Sequence, residues 1–280
     1  MKVLILGCGD IGTRVGLSLY EQGWHVTAVR RNPDLLPEVF ERRGADLTDG
    51  KALSDLSLAE PDYVVVTPLP QSYDPEGYKT GFAGVAETLA GQRWFSECRR
   101  VIWISSTRVY RESQGGWVDE HSPLNTAEPQ AAAMVAAEAT IRRGVTATII
   151  RPAGVYGDPG GMLMRRVRAG EGGATSALYG NRIHREDLSR LIVHCLESDA
   201  AGAPVPPTLV GADNDHAPSH QVEDWLAARL NVTLSRQAGS AIPRANRRCR
   251  NALLEKIGFR LCYPTWQEGY EAMLNQVLTS

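Results

Sequence analysis

The stretch Lys2-Val3-Leu4-Ile5-Leu6-Gly7-Cys8-Gly9-Asp10-Ile11-Gly12 decides the fold of this 280-residue chain. It joins a short apolar run to a glycine-rich turn, and a helical pattern of apolar residues follows at Val15 and Leu19. A strand, a G-x-G-x-x-G turn and a helix in this order form the dinucleotide-binding fingerprint. In that fingerprint Gly7 permits the tight turn, Gly9 lets the backbone approach a pyrophosphate, and Gly12 lets the helix pack on the strand. Asp10 and Ile11 open the helix, whose free N–H groups face the phosphates.

The end of the second predicted strand indicates which dinucleotide is bound. That strand, His25-Val26-Thr27-Ala28-Val29, ends where an NAD enzyme places an acid for the ribose, about twenty residues after the glycines. Arg30 and Arg31 stand there instead. Because two guanidinium groups suit a ribose 2′-phosphate, the sequence predicts NADP, with NAD as the alternative.

Composition excludes several classes of partner. The net charge is −2, and no basic stripe indicates nucleic-acid binding. No apolar stretch approaches the ~20 residues of a membrane span, and because the first strand begins at residue 2 we expect no signal peptide. The five cysteines have no C-x-x-C spacing, so we expect a cytoplasmic protein with reduced thiols. Cys8, inside the predicted phosphate turn, is either a reactive thiol or a small residue that fills a tight loop.

Strands and helices alternate along the first half of the chain. After the second strand we predict a helix over Pro33–Arg43 and a short third strand over Gly44–Leu47. Three further strands are predicted over Asp62–Thr67, Arg100–Ile104 and Val145–Ile150, with helices over Glu76–Arg93 and Glu128–Arg143 between them. Such alternation predicts an α/β fold with a doubly wound parallel sheet, the Rossmann fold. We expect a Rossmann domain over 1–156 and a small C-terminal substrate lobe over 157–280, with one or more elements that return to the sheet.

Ligands of such sheets bind at the carboxyl ends of the strands. Residues at or just after these ends are therefore predicted to contact the cofactor. They are Asp46, Leu47, Thr67, Pro68 and Ser105.

Four segments together resemble the extended short-chain dehydrogenase/reductase group, the NAD-dependent epimerase/dehydratase family. They are the glycine turn, Ile104-Ser105-Ser106-Thr107-Arg108-Val109-Tyr110, Arg151-Pro152-Ala153-Gly154-Val155-Tyr156-Gly157 and Ile183-His184-Arg185-Glu186-Asp187-Leu188. The resemblance implies cofactor contacts at Pro152 and Val155. It also implies that Ser106 hydrogen-bonds the substrate oxygen, and it places Tyr110 and Tyr156 near the catalytic site.

One departure from this family concerns its catalytic pair. The family uses a tyrosine for proton transfer and a lysine one helical turn later, which lowers the pKa of the tyrosine. Alignment of the helix puts Gln130 and Met134 at these two positions. Gln130 cannot transfer a proton, and Met134 has no charge. The chain is therefore similar to atypical members of the family that lack the pair.

Two classes of function follow from this departure. An enzyme could still transfer hydride, because the cofactor carries that chemistry, and the substrate would be a small polar metabolite. Its proton would come from another group, for which the candidates are Tyr110, Tyr156, Glu128 and His184, while Arg108 either holds a substrate anion or forms a surface ion pair. The alternative is an NADP-binding sensor or partner-binding protein without turnover.

Two remaining features concern metals and assembly. Asp213, Asp215, His216 and His220 have a metal-like composition, but Pro218 separates the histidines, so we expect loop and capping groups and no metal site. In the resembling family, two helices of each subunit form a four-helix interface. The corresponding helices here lie around Gly77–Gln92 and Glu128–Arg143, and we therefore expect a homodimer.

Overall fold

The computed structural model describes residues 1–56, 60–173, 175, 178–236 and 246–278. Within them the chain divides into two compact units, each assembled from separate segments. The first contains Met1–Arg111, Leu124–Arg151 and Ser189–Leu209, and the second contains Glu112–Pro123, Pro152–Leu188 and Val210–Ser280. No helix among the described residues is both long and apolar enough to cross a membrane.

The first unit is built on a seven-stranded sheet. Its strands are β1 (Lys2–Leu6), β2 (His25–Arg30), β3 (Glu41–Gly44), β4 (Tyr63–Val66), β5 (Arg100–Ile104), β7 (Ala147–Pro152) and β11 (Thr208–Gly211). Their order in the sheet is β11-β7-β5-β4-β1-β2-β3. Within this order, each pair of neighbouring strands between β7 and β3 is parallel. Every residue of β4 is buried, as expected for a strand that is covered on both faces. The predicted doubly wound α/β fold is confirmed.

Helices connect these strands. They are α1 (Asp10–Glu21), α2 (Gly50–Ser54), α3 (Pro75–Tyr78), α4 (Val85–Ala90), α5 (Arg93–Ser96) and α6 (Pro129–Gly144), and a π-helical stretch, Lys79–Gly84, joins α3 to α4. Helix α8 (Arg185–Ala200) leads towards β11 along the chain. Met134 of α6, Phe82 and Trp103 share one hydrophobic core with β1 and β4.

The helix predicted over Pro33–Arg43 is wrong. Pro33–Leu35 forms one 3-10 turn, and Glu41–Gly44 forms β3, which pairs with Thr27–Arg30. Pro37 lies in the middle of the predicted helix, where it lacks an N–H and collides with the preceding turn. The third strand consequently begins three residues earlier than predicted, and residues 45–48 follow it as a loop.

The second unit contains short two-stranded pairs, four helices and the first turn of α8 in its described part. The pairs are β8 (Gly154–Tyr156) with β10 (Arg182–His184), β9 (Glu171–Gly172) with β12 (Ser235–Arg236), and β6 (Trp117–Val118) with β13 (Arg248–Cys249). The helices are α7 (Met162–Arg168), α9 (Ser219–Leu230), α10 (Ala252–Lys256), α11 (Trp266–Leu278) and the first turn of α8. A core that includes Met164, Leu226 and Trp266 holds α7, α9 and α11 together.

Candidate functional site

A cleft of about 360 Å³ opens in the first unit where β1, β2, β3 and β4 end. Its walls come from the loops that follow these four neighbouring strands and from the helical segment beyond β4. The lining residues are Gly7, Cys8, Gly9, Arg30, Arg31, Asn32, Ala45, Asp46, Leu47, Thr48, Thr67, Pro68, Leu69, Gln71, Gly81 and Val85. Parallel strands bring their carboxyl ends to one edge of a sheet, which explains why these distant segments meet.

The three glycines of the turn have different surroundings. Gly7 has a φ of +74°, and a side chain there would place its Cβ 2.7 Å from the Thr67 carbonyl oxygen. At Gly12 a Cβ would lie 2.9 Å from the Ile5 side chain, so Gly12 allows α1 to approach β1. At Gly9, however, a Cβ would meet only the Gly7 carbonyl oxygen, at 3.8 Å. Gly9 therefore leaves space open over the start of α1, which fits a cradle for a pyrophosphate.

The two arginines after β2 face the same cleft. Arg30 is the last residue of β2 and Arg31 is exposed, and neither guanidinium donates a hydrogen bond to any residue that the structure describes. Asp46 lies opposite, where a hydrogen bond from the Thr48 backbone N–H holds the pKa of its carboxyl below the usual value and Arg31 lowers it further. The cleft thus presents two guanidinium groups that make no hydrogen bond to a described residue, beside a carboxylate that already accepts two hydrogen bonds from Thr48.

Cys8 lies in the glycine turn but is fully buried. Burial raises the pKa of its thiol to about 11, although a hydrogen bond with Thr13 opposes this shift. Because the thiolate is the nucleophile, a thiol with a raised pKa is unreactive at neutral pH. The structure therefore favours Cys8 as a small residue that fills the tight loop.

The two serines after β5 have different partners. The side-chain oxygen of Ser106 accepts the Arg108 N–H at 3.1 Å and caps the 3-10 turn Thr107–Val109. Ser105 instead donates its hydroxyl to Glu138 Oε1 at 2.6 Å. Ser105 therefore belongs to a buried polar network, while Ser106 stays half-buried at the end of the strand.

Tyr110 is part of the same buried network as Ser105. Its ring is fully buried, and its hydroxyl accepts a hydrogen bond from Arg151 Nη1 at 3.3 Å. The Arg151 guanidinium lies 5.1 Å from the ring centroid and pairs with Glu138 at 2.7 Å. Because its ring has no exposed surface and its hydroxyl is held by Arg151, the position of Tyr110 indicates a structural role.

The positions of the missing catalytic pair lie on α6. Gln130 is half-buried in the first turn, whereas Met134 is 1% exposed and packs in the main hydrophobic core. At the position where the family has a lysine, this chain thus has an apolar side chain buried in the core.

Glu128 and Arg108 bind each other in front of that helix. Burial raises the pKa of the Glu128 carboxyl, but hydrogen bonds from Arg108 and the Ala131 N–H outweigh this and lower it overall. Glu128 is thus an ionised cap of α6 rather than a proton donor, and Arg108 is held as its ion-pair partner.

The predicted residues Pro152, Val155 and Tyr156 belong to the second unit. Pro152 is buried, and Val155 is 47% exposed on β8. Tyr156 stacks on Tyr270 with centroids 4.6 Å apart, and its hydroxyl donates to the Thr265 carbonyl at 3.4 Å. Burial holds the pKa of Tyr156 far above its ordinary value, which favours a packing role.

Among the predicted cofactor residues, eight line the cleft: Gly7, Gly9, Arg30, Arg31, Asp46, Leu47, Thr67 and Pro68. Asp10, Ile11 and Gly12 form the first turn of α1 beside it. The sequence did not predict the other lining residues, Asn32, Ala45, Thr48, Leu69, Gln71, Gly81 and Val85. Asn32, Thr48 and Leu69 could have been found, since each directly follows a predicted binding residue, but Gly81 carries no local signal.

A family model described as NAD(P)H-binding matches residues 7–199. No curated protein sequence matches the chain. Among solved structures, a Methylobacillus flagellatus protein with the provisional name NAD-dependent epimerase/dehydratase is 27% identical, with a TM-score of 0.80 over 99% of this chain and 98% of that one.

Two further structures show similarity of fold. Human epimerase family protein SDR39U1, solved with NADPH, is 18% identical, with a TM-score of 0.77 over 98% of this chain and 99% of that one. The Bordetella bronchiseptica enzyme WbmG, in complex with NAD, is 15% identical, with a TM-score of 0.83 over 100% of this chain and 94% of that one.

Proposed function

This chain belongs to the NAD(P)H-binding family, as an atypical member of the extended short-chain dehydrogenase/reductase group, and from this we propose an NADP-dependent oxidoreductase or epimerase. Its substrate is a small polar metabolite with a carbonyl or carbinol carbon. The observation that supports NADP is the pair Arg30 and Arg31, whose guanidinium groups face the cleft where an NAD enzyme has an acid. When bound, the nicotinamide supplies or accepts a hydride.

The residues of the cleft, and Ser106 after β5, have separate tasks in this proposal. Gly9 and the start of α1 receive the pyrophosphate, and Arg30 and Arg31 bind the ribose 2′-phosphate. Ser106 orients the substrate oxygen. Because its oxygen accepts the Arg108 N–H, its own O–H stays available for donation, and no described residue accepts it.

A second candidate function is an NADP-binding protein without turnover. The burial of Met134 in the core favours it, as do the existing partners of Tyr110 and Glu128. Such a protein binds NADP in the same cleft and acts as a sensor of the cofactor, without using it in a reaction.

The first test concerns cofactor choice. Each charge-assisted hydrogen bond contributes about 1.5–3 kcal/mol, so Arg30→Ala with Arg31→Ala should weaken NADP binding at least tenfold and leave NAD binding nearly unchanged. Isothermal titration calorimetry measures both affinities. Lys51→Ala, an exposed residue of α2, is the matched control and should change neither. A wild type that prefers NAD, or equal losses for the two cofactors, contradicts the assignment.

The second test separates the two functions. If the protein is an enzyme, Ser106→Ala should lower kcat by about 10²–10³, the usual cost of one preorganised donor. NADPH oxidation is followed with a panel of aldehydes, ketones and keto-sugars. Tight NADP binding with no turnover on any of them supports the binding protein, whereas turnover that Ser106→Ala leaves unimpaired contradicts the role of Ser106. Gln130→Tyr should create or raise turnover in the enzyme, while adding Met134→Lys would bury an ammonium group in the core.

A further inference from the structure

The acids and histidines that follow β11 do not come together as a metal site. Among the described residues, no group of three His, Cys, Asp or Glu side chains could hold a metal ion. Asp215 instead accepts the Ala217 N–H at 3.1 Å and closes a turn of the loop. What this stretch does must therefore be sought in the loop that it forms, residues 212–217.

The loop 212–217 joins several parts of the second unit. The Asp213 N–H donates to the carbonyl of the first residue of β10 at 2.7 Å. The Asn214 N–H donates to the Pro264 carbonyl, ahead of α11, at 2.8 Å. Asn251, which precedes α10, donates its side-chain N–H to Asn214 Oδ1, also at 2.8 Å. A change in this loop therefore reaches three separate segments of the unit.

The carboxyl group of Asp213 is buried in this junction without a cation as its partner. Asp213 is 1% exposed, its Oδ1 accepts the Asp215 N–H at 3.2 Å, and its Oδ2 has no hydrogen-bond partner among the described residues. The Arg182 guanidinium acts on this carboxyl but donates its hydrogen bonds to the Ala217 carbonyl at 2.8 Å and to Ser219 Oγ at 3.5 Å. Because a carboxylate loses its hydration on burial, this position disfavours the ionised form of Asp213.

Other acids add to the cost of a charge on Asp213. Asp187, in the first turn of α8, is fully buried and accepts the backbone N–H groups of Cys262 and Tyr263 at 2.6 and 3.0 Å. The titratable groups that act on the Asp213 carboxyl, or on which it acts, come from four elements and the loop itself. They are Arg182 of β10, Asp187 of α8, Tyr156 of β8, Tyr270 of α11 and Asp215 of the loop. Arg182 is the one cation in this set.

We propose that Asp213 is a pH-sensitive lock of the second unit, closed while its carboxyl is protonated and loosened when the proton is lost. The protonated carboxyl carries no charge, so it can stay in the buried loop at a much lower cost than the carboxylate. The carboxylate regains hydration only when the loop 212–217 moves towards solvent. The hydrogen bonds from the loop to β10, to Pro264 and to Asn251 then weaken together.

The titration of Asp213 gives the pH range of the lock. Burial raises the pKa of Asp213 to about 8, the Asp215 N–H and Arg182 oppose this shift, and the charges of Asp215 and Asp187 add to it. In an unfolded chain the pKa of an aspartate is about 3.9. Between these two pKa values the folded protein holds a proton that the unfolded chain has lost, so the free energy of unfolding falls as the pH rises. Above the pKa of the folded state this contribution no longer changes.

The first measurement is urea denaturation of wild type and Asp213→Asn, whose amide cannot ionise, at pH 5 and at pH 8. Between these pH values the unfolding equilibrium constant of the wild type should rise at least about tenfold more than that of Asp213→Asn. The comparison cancels the pH dependence of every group that the two proteins share. Glu255→Gln, an exposed residue of α10, is the matched control and should follow the wild type. Equal pH dependence of wild type and Asp213→Asn overturns the proposal.

The second measurement uses the wild type alone, so it holds even if Asp213→Asn fails to fold. NMR of protein with ¹³C-labelled aspartate carboxyl groups should show one carboxyl that titrates near pH 8. Hydrogen exchange of residues 212–217, corrected for its intrinsic pH dependence, should become at least tenfold faster from pH 6 to pH 9, while that of β4 should not. The proposal is overturned if no aspartate titrates above pH 7, or if the corrected exchange of the loop stays constant.

Discussion

Glu138 and Arg151 form a buried ion pair at the centre of the first unit. Both side chains are almost fully buried, and Arg151 Nε and Nη2 donate to the two carboxylate oxygens of Glu138. Ser105 and Tyr110 complete the network. The sequence predicts that Ser105 and Tyr110 lie near the site, but it does not show that Glu138 holds Ser105 and that Arg151 holds Tyr110 in a buried network. That contact depends on how α6 packs, which no local pattern encodes.

Removal of one partner of this ion pair should be costly. Glu138→Gln keeps the shape but leaves the Arg151 guanidinium without its anion, and such a loss destabilises a fold by about 3–5 kcal/mol. Urea denaturation measures the free energy of unfolding. The double variant Glu138→Gln with Arg151→Met should be more stable than Glu138→Gln alone, and Glu87→Gln, exposed on α4, should be neutral. If Glu138→Gln lowers the free energy of unfolding by no more than the experimental error of the control, the ion pair does not stabilise the fold.

At the scale of elements, the sequence predicts the bounds of the two central strands β4 and β5 most accurately. The fifth strand, Arg100–Ile104, coincides with its prediction, and the fourth differs by one residue at each end. Continuous apolar runs give this accuracy because both faces of the sheet are covered. The helix predicted after β2 is wrong because the buried residues Leu36 and Phe40 belong to an irregular segment and not to one face of a helix. The Phe40 ring packs where a side chain at position 16 would lie, which only Gly16 permits.

The π-helical stretch Lys79–Gly84 leads to a prediction about the cleft. A Cβ at Gly81 would lie 2.2 Å from the Leu69 carbonyl oxygen and 2.7 Å from Pro70 Cα. Gly81→Ala should therefore displace the loop that lines the cleft, destabilise the fold by about 1–3 kcal/mol and weaken NADP binding. Gly84→Ala, whose Cβ would meet only the Lys79 carbonyl at 3.6 Å, should be neutral or stabilise by up to about 1 kcal/mol. Equal effects in the two variants would contradict the role of the Leu69 contact.

At the scale of the whole molecule, the sequence predicted the parallel sheet of the first unit but not the strand pairs of the second. The glycine turn and the strand ends locate the cleft because a parallel sheet collects them at one edge. The second unit has no such rule, since its short strand pairs join distant segments such as Trp117–Val118 and Arg248–Cys249. Asp213 and His216 have a metal-like composition in the sequence, whereas in the structure Asp213 is buried and one of its carboxyl oxygens has no hydrogen-bond partner among the described residues.

Cofactor binding should stabilise the molecule through Gly9. At a hundredfold excess over its Kd, NADP should add about 2.7 kcal/mol to the free energy of unfolding if it binds only the folded state. Gly9 has a φ of −95° and open space around its Cβ position, so Gly9→Val should fold normally. Its side chain would occupy the pyrophosphate's space and abolish the NADP-dependent rise in Tm, measured by differential scanning fluorimetry. Gly7→Ala is the contrasting variant, because its positive φ and the Thr67 carbonyl should lower Tm even without NADP. A Gly9→Val protein that keeps the full thermal shift would place the pyrophosphate elsewhere.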